Sequence, residues 1–471
     1  MYLSADAMAV LAAEAFVAKA AVRSTCARHV RVADAPMVLV PMALAGEDGA
    51  PLAFAWGRGP SIETMVVVPE PRDRDEAWQG LEQLAEAVCA WLDPIAANLA
   101  SATTSDGGTR TPAPAQLVLS TPAAVTFLRK VAYRLTHAPD DSPPVLRRAG
   151  GWLQYFLDRH ELAPWDSALL VATKAVGVHW TLPLAQAESA HLLAVEACLA
   201  SPGDAIAAAH RVEYEPGGTL TMPEFDEKLL QPAIEGYGKA RGKSDREDCR
   251  ATIASLLHPL LSRSYDATWA LLEALRAIPP IPSVLADRAD SERAAFERHH
   301  AYLEKGGRFA AKDSLARSIL LLDDAEETLR KVRQDARATD ALVRAVAASD
   351  GEALDGTITA AEVSMVKVTK KRSARIDLDV TVPGPWRPRG EVTFELLWDR
   401  EKSVAFEVLS FESTGDGTRV RLRSANGHSI ARKALNDELA VGQPVALVKQ
   451  ESSYESFGFP KTPWMLGGAR A

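Results

Sequence analysis

Near residue 350 the spacing of apolar residues in this chain changes, and that change limits what it can fold into. From about Gln116 to Ser349 they recur every three or four positions, the period of a helix with one buried face; after SDGEALDGT they recur every second position, the period of a strand. In the helical stretch, TPAAVTFLRKVAYRL opens with a Thr-Pro start signal, and PVLRRAGGWLQYFLDRH sets Leu146, Trp152, Tyr155 and Phe156 at helical spacing. SALLVATKAVGVHW, AESAHLLAVEACL, EFDEKLLQPAIEGY, REDCRATIASLLHPLLSRSYDATWALLEAL and ADSERAAFERHHAYLEK continue the pattern. A long last helix is predicted from Ala310 to Ala348, with Leu315, Ile319, Leu322, Leu329, Val332, Leu342 and Val346 on one stripe.

Beyond it, EVSMVKV, ARIDLDVTV, EVTFELLW, SVAFEVLSF, TRVRLRS and PVALVKQ read as short strands, and the breaks between them include the hairpin pair Asn426-Gly427. Antiparallel strands at this spacing predict a small closed or half-closed β-barrel, SH3-like or OB-like. The first hundred residues mix types. VRVADAPMVLVPMAL, PLAFAWG and SIETMVVVPEP read as strands, and Arg72 to Ala100 reads as a one-faced helix. The expected fold class is thus multi-domain α+β. It comprises a small α+β N-terminal domain over 1–100, a flexible linker over 101–115, an all-α helical domain over 116–349, a small β-barrel over 357–450 and an extended tail over 451–471.

Composition narrows the setting. With 47% hydrophobic and 24% charged residues, the balance is that of a globular protein. The opening MYLSADAMAVLAAEAFVAKAAVRS has no basic stretch before its apolar run and carries Asp6, Glu14 and Lys19 within it, so it reads as an amphipathic helix and not a secretory signal. No uncharged apolar run approaches the ~18 residues of a membrane span. A cytoplasmic location with no membrane partner is expected. Cys26, Cys89, Cys198 and Cys249 stand far apart with no C-x-x-C spacing, the pattern of free thiols.

TPWMLGG at Thr462 to Gly468, the stretch GWLQYFLDRHELAPWDSALLVATKAVGVHW with its W-x-x-x-x-x-x-R core, and AESAHLLA together resemble a group of uncharacterised high-GC actinomycete proteins ending in TPW-x-x-GG. No activity is attached to that group. The resemblance implies no fold, site or cofactor.

Catalytic motifs fail on inspection. GRFAAKDS, counted with the preceding Gly306 as the first glycine, has Ala311 where a phosphate loop needs its second glycine and Asp313 where it needs a hydroxyl for magnesium. HELAP at His160 has Pro164 where a zincin needs its second histidine. Glu297, His300 and Glu304 share a helical face by spacing, a pattern that solvated helices also carry. No G-x-S-x-G is present, and the neighbouring acids Asp323, Asp324, Glu326 and Glu327 fan out around a helix axis. No cofactor or metal is expected.

Charge is unevenly spread. From Thr357 onward there are 17 Lys and Arg against 14 Asp and Glu, so the rest of the chain has 36 against 48: a cationic C-terminal part on an acidic protein. In TRVRLRS, Arg419, Arg421 and Arg423 must share one strand face, roughly 7 Å apart, while Val420 and Leu422 take the other. That row suits a phosphate backbone. Lys367, Lys370, Lys371, Arg372 and Arg375 gather at the turn entering IDLDV, with Trp386, Phe394, Trp398, Phe406 and Phe411 as stacking platforms or, more simply, core. Asp377 and Asp379 share the face of Arg375 and could neutralise a cross-strand arginine pair by pair. The function expected is a non-catalytic accessory or adaptor protein that binds nucleic acid, or a nucleoprotein partner such as a motor or nuclease subunit, through a basic barrel face. The alternatives are a protein–protein scaffold and a hydrolase with a dispersed helical-domain site at His300 and Glu304.

Overall fold

The computed structural model describes residues 2–47, 49–102, 115–163, 167–311, 314–368, 371–389, 393–399, 402–425 and 439–449. The chain forms two compact units: unit 1 of Met1–Val10, Ser24–Cys26 and Glu326–Ala471, and unit 2 of Leu11–Arg23 and Ala27–Ala325. Among the described residues no helix is long and apolar enough to cross a membrane.

After helix α1 (Ala5–Ala18) and the two-residue strand β1 (Val22–Arg23) come the strands expected of the N-terminal part, β2 (Met37–Ala43), β3 (Pro51–Gly57) and β4 (Thr64–Val67), followed by helix α2 (Arg74–Ala102). Next are β5 (Leu117–Leu119), α3 (Pro122–Thr136), α4 (Pro144–Leu162), β6 (Leu169–Val171), α5 (Ala172–His179) and the short β7 (Trp180–Thr181), which pairs with β1. Helices α6 (Leu192–Ala200), α7 (Ala205–Arg211), α8 (Pro223–Phe225), α9 (Gln231–Lys239), α10 (Lys243–Arg276) and α11 (Pro282–Glu304) complete the series.

The main sheet of unit 2 has the order β4-β3-β2-β5-β6, with β2, β5 and β6 parallel and β3 and β4 antiparallel. MVLVPMA and PLAFAWG are buried at every position. They are continuous apolar runs because both faces of the sheet are covered. A core of Phe54, Leu84, Phe127, Trp152, Phe156 and Phe296 joins the sheet to α2, α3, α4 and α11, and α10 packs on β2 and β3.

This arrangement differs from the expected division at residue 100. LVL and LLV lie inside the stretch read as all-helical, yet they pair in parallel within the sheet that holds β2, so unit 2 runs through both the expected N-terminal domain and most of the expected helical one. A three-residue strand is too short to display a period of two. The expected linker falls mostly on residues 103–114, outside the described residues.

The long last helix is two, α12 (Leu315–Thr339) and α13 (Ala341–Ser349). Asp340 breaks it: its carboxylate accepts the amides of Leu342 (3.0 Å) and Val343 (3.1 Å), which caps α13.

The expected C-terminal strands follow as β8 (Ala353–Val368), β9 (Lys371–Pro383), β10 (Thr393–Asp399), β11 (Lys402–Thr414), β12 (Gly417–Ser424) and β13 (Pro444–Lys449). They form an antiparallel sheet in the order β10-β11-β12-β9-β8-β13, and β13 pairs back onto β10 through Phe394–Lys449 and Glu395–Val448. Its interior holds Ile358, Leu378, Val380, Phe394, Phe406 and Leu422. Asn426-Gly427 and the tail from residue 450, TPWMLGG included, lie outside the described residues. All four cysteines are free. Burial pushes the thiols of Cys89 and Cys198 up to about 12 and about 11, which keeps them unreactive.

Candidate nucleic-acid interface

Alternation places the arginine row of β12 as its sequence requires. Val420 and Leu422 are fully buried, so Arg419, Arg421 and Arg423 project outward together. The neighbouring strands then decide what the row can do. Arg423 stands opposite Asp377 in register, and its Nε and Nη2 donate to that carboxylate at 2.7 and 2.8 Å. These bonds hold the Asp377 carboxyl below the usual carboxylate range and lift Arg423. Arg421 donates to Glu362 of β8 at 2.9 Å, with Asp379 at 3.8 Å. Only Arg419 of the three has no ion pair among the described residues.

Arg375 donates to the carbonyls of Ser424 and Ala425. Lys367 pairs with Arg372 and Val368 with Lys371 in the β8–β9 backbone ladder, while Lys370 lies outside the described residues. Trp386, Phe394 and Phe406 are buried in the sheet interior, so they are core and not stacking platforms. Phe411 is 44% exposed and stands edge-on to Trp386.

Unit 2 carries a cationic surface that no sequence motif announces. Leu128, Val131 and Leu135 bury one side of α3, which turns Arg129, Lys130, Tyr133 and Arg134 toward the other. Helix α4 fixes the C-terminal end of α3 through Gly150, where an added Cβ would lie 2.5 Å from the Thr136 amide nitrogen. At the start of α2, Asp73 accepts the amides of Asp75 (2.8 Å) and Glu76 (3.0 Å), which sets Arg72 and Arg74 at the helix entrance. Arg134 bridges the two places. Its Nη1 donates to Gly49 O at 3.0 Å, and its side chain lines both a cavity of about 290 Å³ with Arg72, Arg74 and Trp78 and one of about 490 Å³ with Arg129, Lys130 and Tyr133.

Five cations line this groove. Groups set against them include Glu47 on Arg72 (2.8 Å), Glu161 on Arg129 (2.7 Å) and Asp73, whose carboxylate serves as the α2 cap, and Lys130 is engaged as well. Arg74 and Arg134 have no ion pair among the described residues. Tyr133 is 52% exposed, its ring stacked on His137 at 4.4 Å. Lys130, Tyr133 and Arg134 at i, i+3 and i+4 are visible in LRKVAYRL, but charges on the outer face of an amphipathic helix read equally as solvation. Arg72 and Arg74 come from a separate element and have no local signal.

His300 Nε2 lies 3.5 Å from Glu304, and Glu304 is also bound by Arg148 at 2.9 Å. No group of three or more metal-ligating side chains exists among the described residues. A buried cluster does exist, without a signal in the sequence: Glu292, 5% exposed, accepts from Arg159 Nη2 at 2.5 Å, from its Nε, and from Tyr155 Oη at 3.2 Å. Its oxygens are engaged, and the group ties α4 to α11. Comparison with known proteins supplies no context for these surfaces: no family model, no curated protein and no solved structure matches the chain.

Proposed function

We propose that the chain is a non-catalytic accessory protein that binds nucleic acid, and that its binding surface is the groove between α2 and α3. The observation that carries this reading is Arg134, which joins two cavities ringed by five cations together with Trp78 and Tyr133. Cations spaced along a groove meet successive phosphates, and an exposed aromatic ring offers a face to an unstacked base. A duplex hides its base faces. A single strand is therefore the expected ligand.

The C-terminal sheet we read as a small barrel of the SH3-like or OB-like kind. Its arginine row is largely spent on its own carboxylates, so its part in strand binding is minor. Chemistry on the bound strand comes, in this reading, from a partner such as a motor or nuclease subunit.

Fluorescence anisotropy with single- and double-stranded oligonucleotides at roughly 50 and 200 mM salt tests the proposal. Single strands should bind with a steep salt slope. Replacing Arg129, Lys130 and Arg134 with Ala should reduce that slope by about 0.7 for each phosphate left without its cation. Tyr133→Ala should weaken binding by the ~1 to 3 kcal/mol of one stacked base. Arg419→Ala should change neither. A slope untouched by the triple substitution would refute the groove, and no binding at either salt leaves the protein–protein scaffold as the reading to pursue.

A further inference from the structure

Unit 1 contains a cavity of about 140 Å³ whose lining includes Ser4, Arg333, Arg337, Asp350, Glu352 and Arg389. Its charges do not cancel. Glu352 is taken up by Arg337 Nη2 at 2.6 Å, with Lys449 Nζ at 4.0 Å from its other oxygen. Arg333 stands one helical turn before Arg337 on α12, and Arg389 reaches the cavity from the loop after β9; neither has an ion pair among the described residues. Among the described residues that line the cavity, Asp350 is the carboxylate left to offset these two cations.

The framework holds Arg389 in place. Its amide nitrogen donates to Gly351 O at 3.3 Å, and Gly351 has φ +72°, a conformation that side chains rarely adopt, with the Arg387 carbonyl packed where a Cβ would stand. Ser4 Oγ accepts the Ala7 amide at 3.4 Å, which leaves its own hydrogen to donate.

Charge selects the ligand, and the cavity of about 140 Å³ has room for a compact oxyanion. Guanidinium groups match oxyanions through paired N–H donors, and two of them without carboxylate partners favour a doubly charged group over a singly charged one. We propose that this cavity binds a phosphoryl group, as free phosphate or as a phosphomonoester, between Arg333 and Arg389 with Ser4 as a third donor. The site lies in unit 1 and does not depend on the groove of unit 2.

Titration calorimetry of the full chain with inorganic phosphate, phosphoserine and acetate, at constant ionic strength, decides the matter. Phosphate or phosphoserine should bind saturably at one site and acetate more weakly. Arg333→Gln and Arg389→Gln should each weaken binding about tenfold or more, the loss of a charge-assisted hydrogen bond. Asp350→Asn should tighten it, a gain that a folding defect cannot produce. Tighter binding of phosphoserine than of inorganic phosphate assigns the site to phosphomonoesters, and the reverse assigns it to the free ion. Absence of saturable binding, acetate as tight as phosphate, or affinity unchanged in both arginine variants overturns the proposal.

Discussion

Gly150 is the residue on which the α3 surface depends most directly. An added methyl would meet the Thr136 nitrogen at 2.5 Å and the Leu135 carbonyl carbon at 2.8 Å, both backbone atoms that cannot rotate away. Gly150→Ala should therefore cost about 1 to 3 kcal/mol or more in urea unfolding, as overpacking does, although alanine is the better helix former. Residues of this kind show how much a single sequence discloses. That Arg419, Arg421 and Arg423 share a face follows from strand alternation alone, and the structure agrees. Which carboxylate meets which arginine follows from the register between β12, β9 and β8, set by chain segments far apart in sequence, and no local pattern encodes it. The spacing around Asp377 marks it as able to neutralise an arginine; that its partner is Arg423 is settled only by the register.

At the scale of elements, legibility follows length. Helix α10 is legible whole, Pro259 included, because its apolar stripe extends over many turns. Strands β5 and β6 are lost among helices because three residues carry no period. The break between α12 and α13 is hidden for a different reason: the stripe of Leu329, Val332, Leu342 and Val346 continues across Asp340, and only the cap reveals the interruption. Asp340 is 1% exposed, and its other oxygen accepts the Cys26 amide at 2.7 Å, so it anchors the early segment Ser24–Cys26 of unit 1 as well as capping α13. Asp340→Ala should destabilise unit 1 by more than the ~1 kcal/mol of an ordinary lost cap, because a buried amide also loses its acceptor. Asp340→Asn, which keeps an acceptor, should recover part of the loss in the same melting experiment.

At the scale of the molecule, the two units should respond differently to acid. In unit 2, burial lowers His179 to about 3 and His299 to about 4; His179 Nε2 accepts the His29 amide at 3.1 Å, which requires the neutral ring. An unfolded chain takes up these protons near pH ~6.5. The stabilisation from excluding them is complete above that value and falls as pH drops toward 4 and then 3, by about 1.4 kcal/mol per pH unit for each ring. In unit 1, Asp377 is shifted down by Arg423, so its contribution is complete above about pH 4 and lost only below. Thermal scans at about pH 7 and about pH 5 should show the transition of unit 2 moving down while that of unit 1 holds. His179→Gln should lessen the shift, and equal movement of both transitions would contradict the assignment.

The seam where β13 meets β10 has a consequence for how this chain can fail. Where the C-terminal sheet closes, every strand has a neighbour on each side, although β8 from Ala360 to Val368 and β9 from Lys371 to Arg375 pair only with each other among the described residues and leave their outer edges open to a further strand. Yet the closure rests on two residue pairs, against the long β8–β9 ladder on the opposite side. Thermal opening should begin there, adding a template for amyloid-like or strand-exchanged species to the edges that the β8–β9 arm already presents.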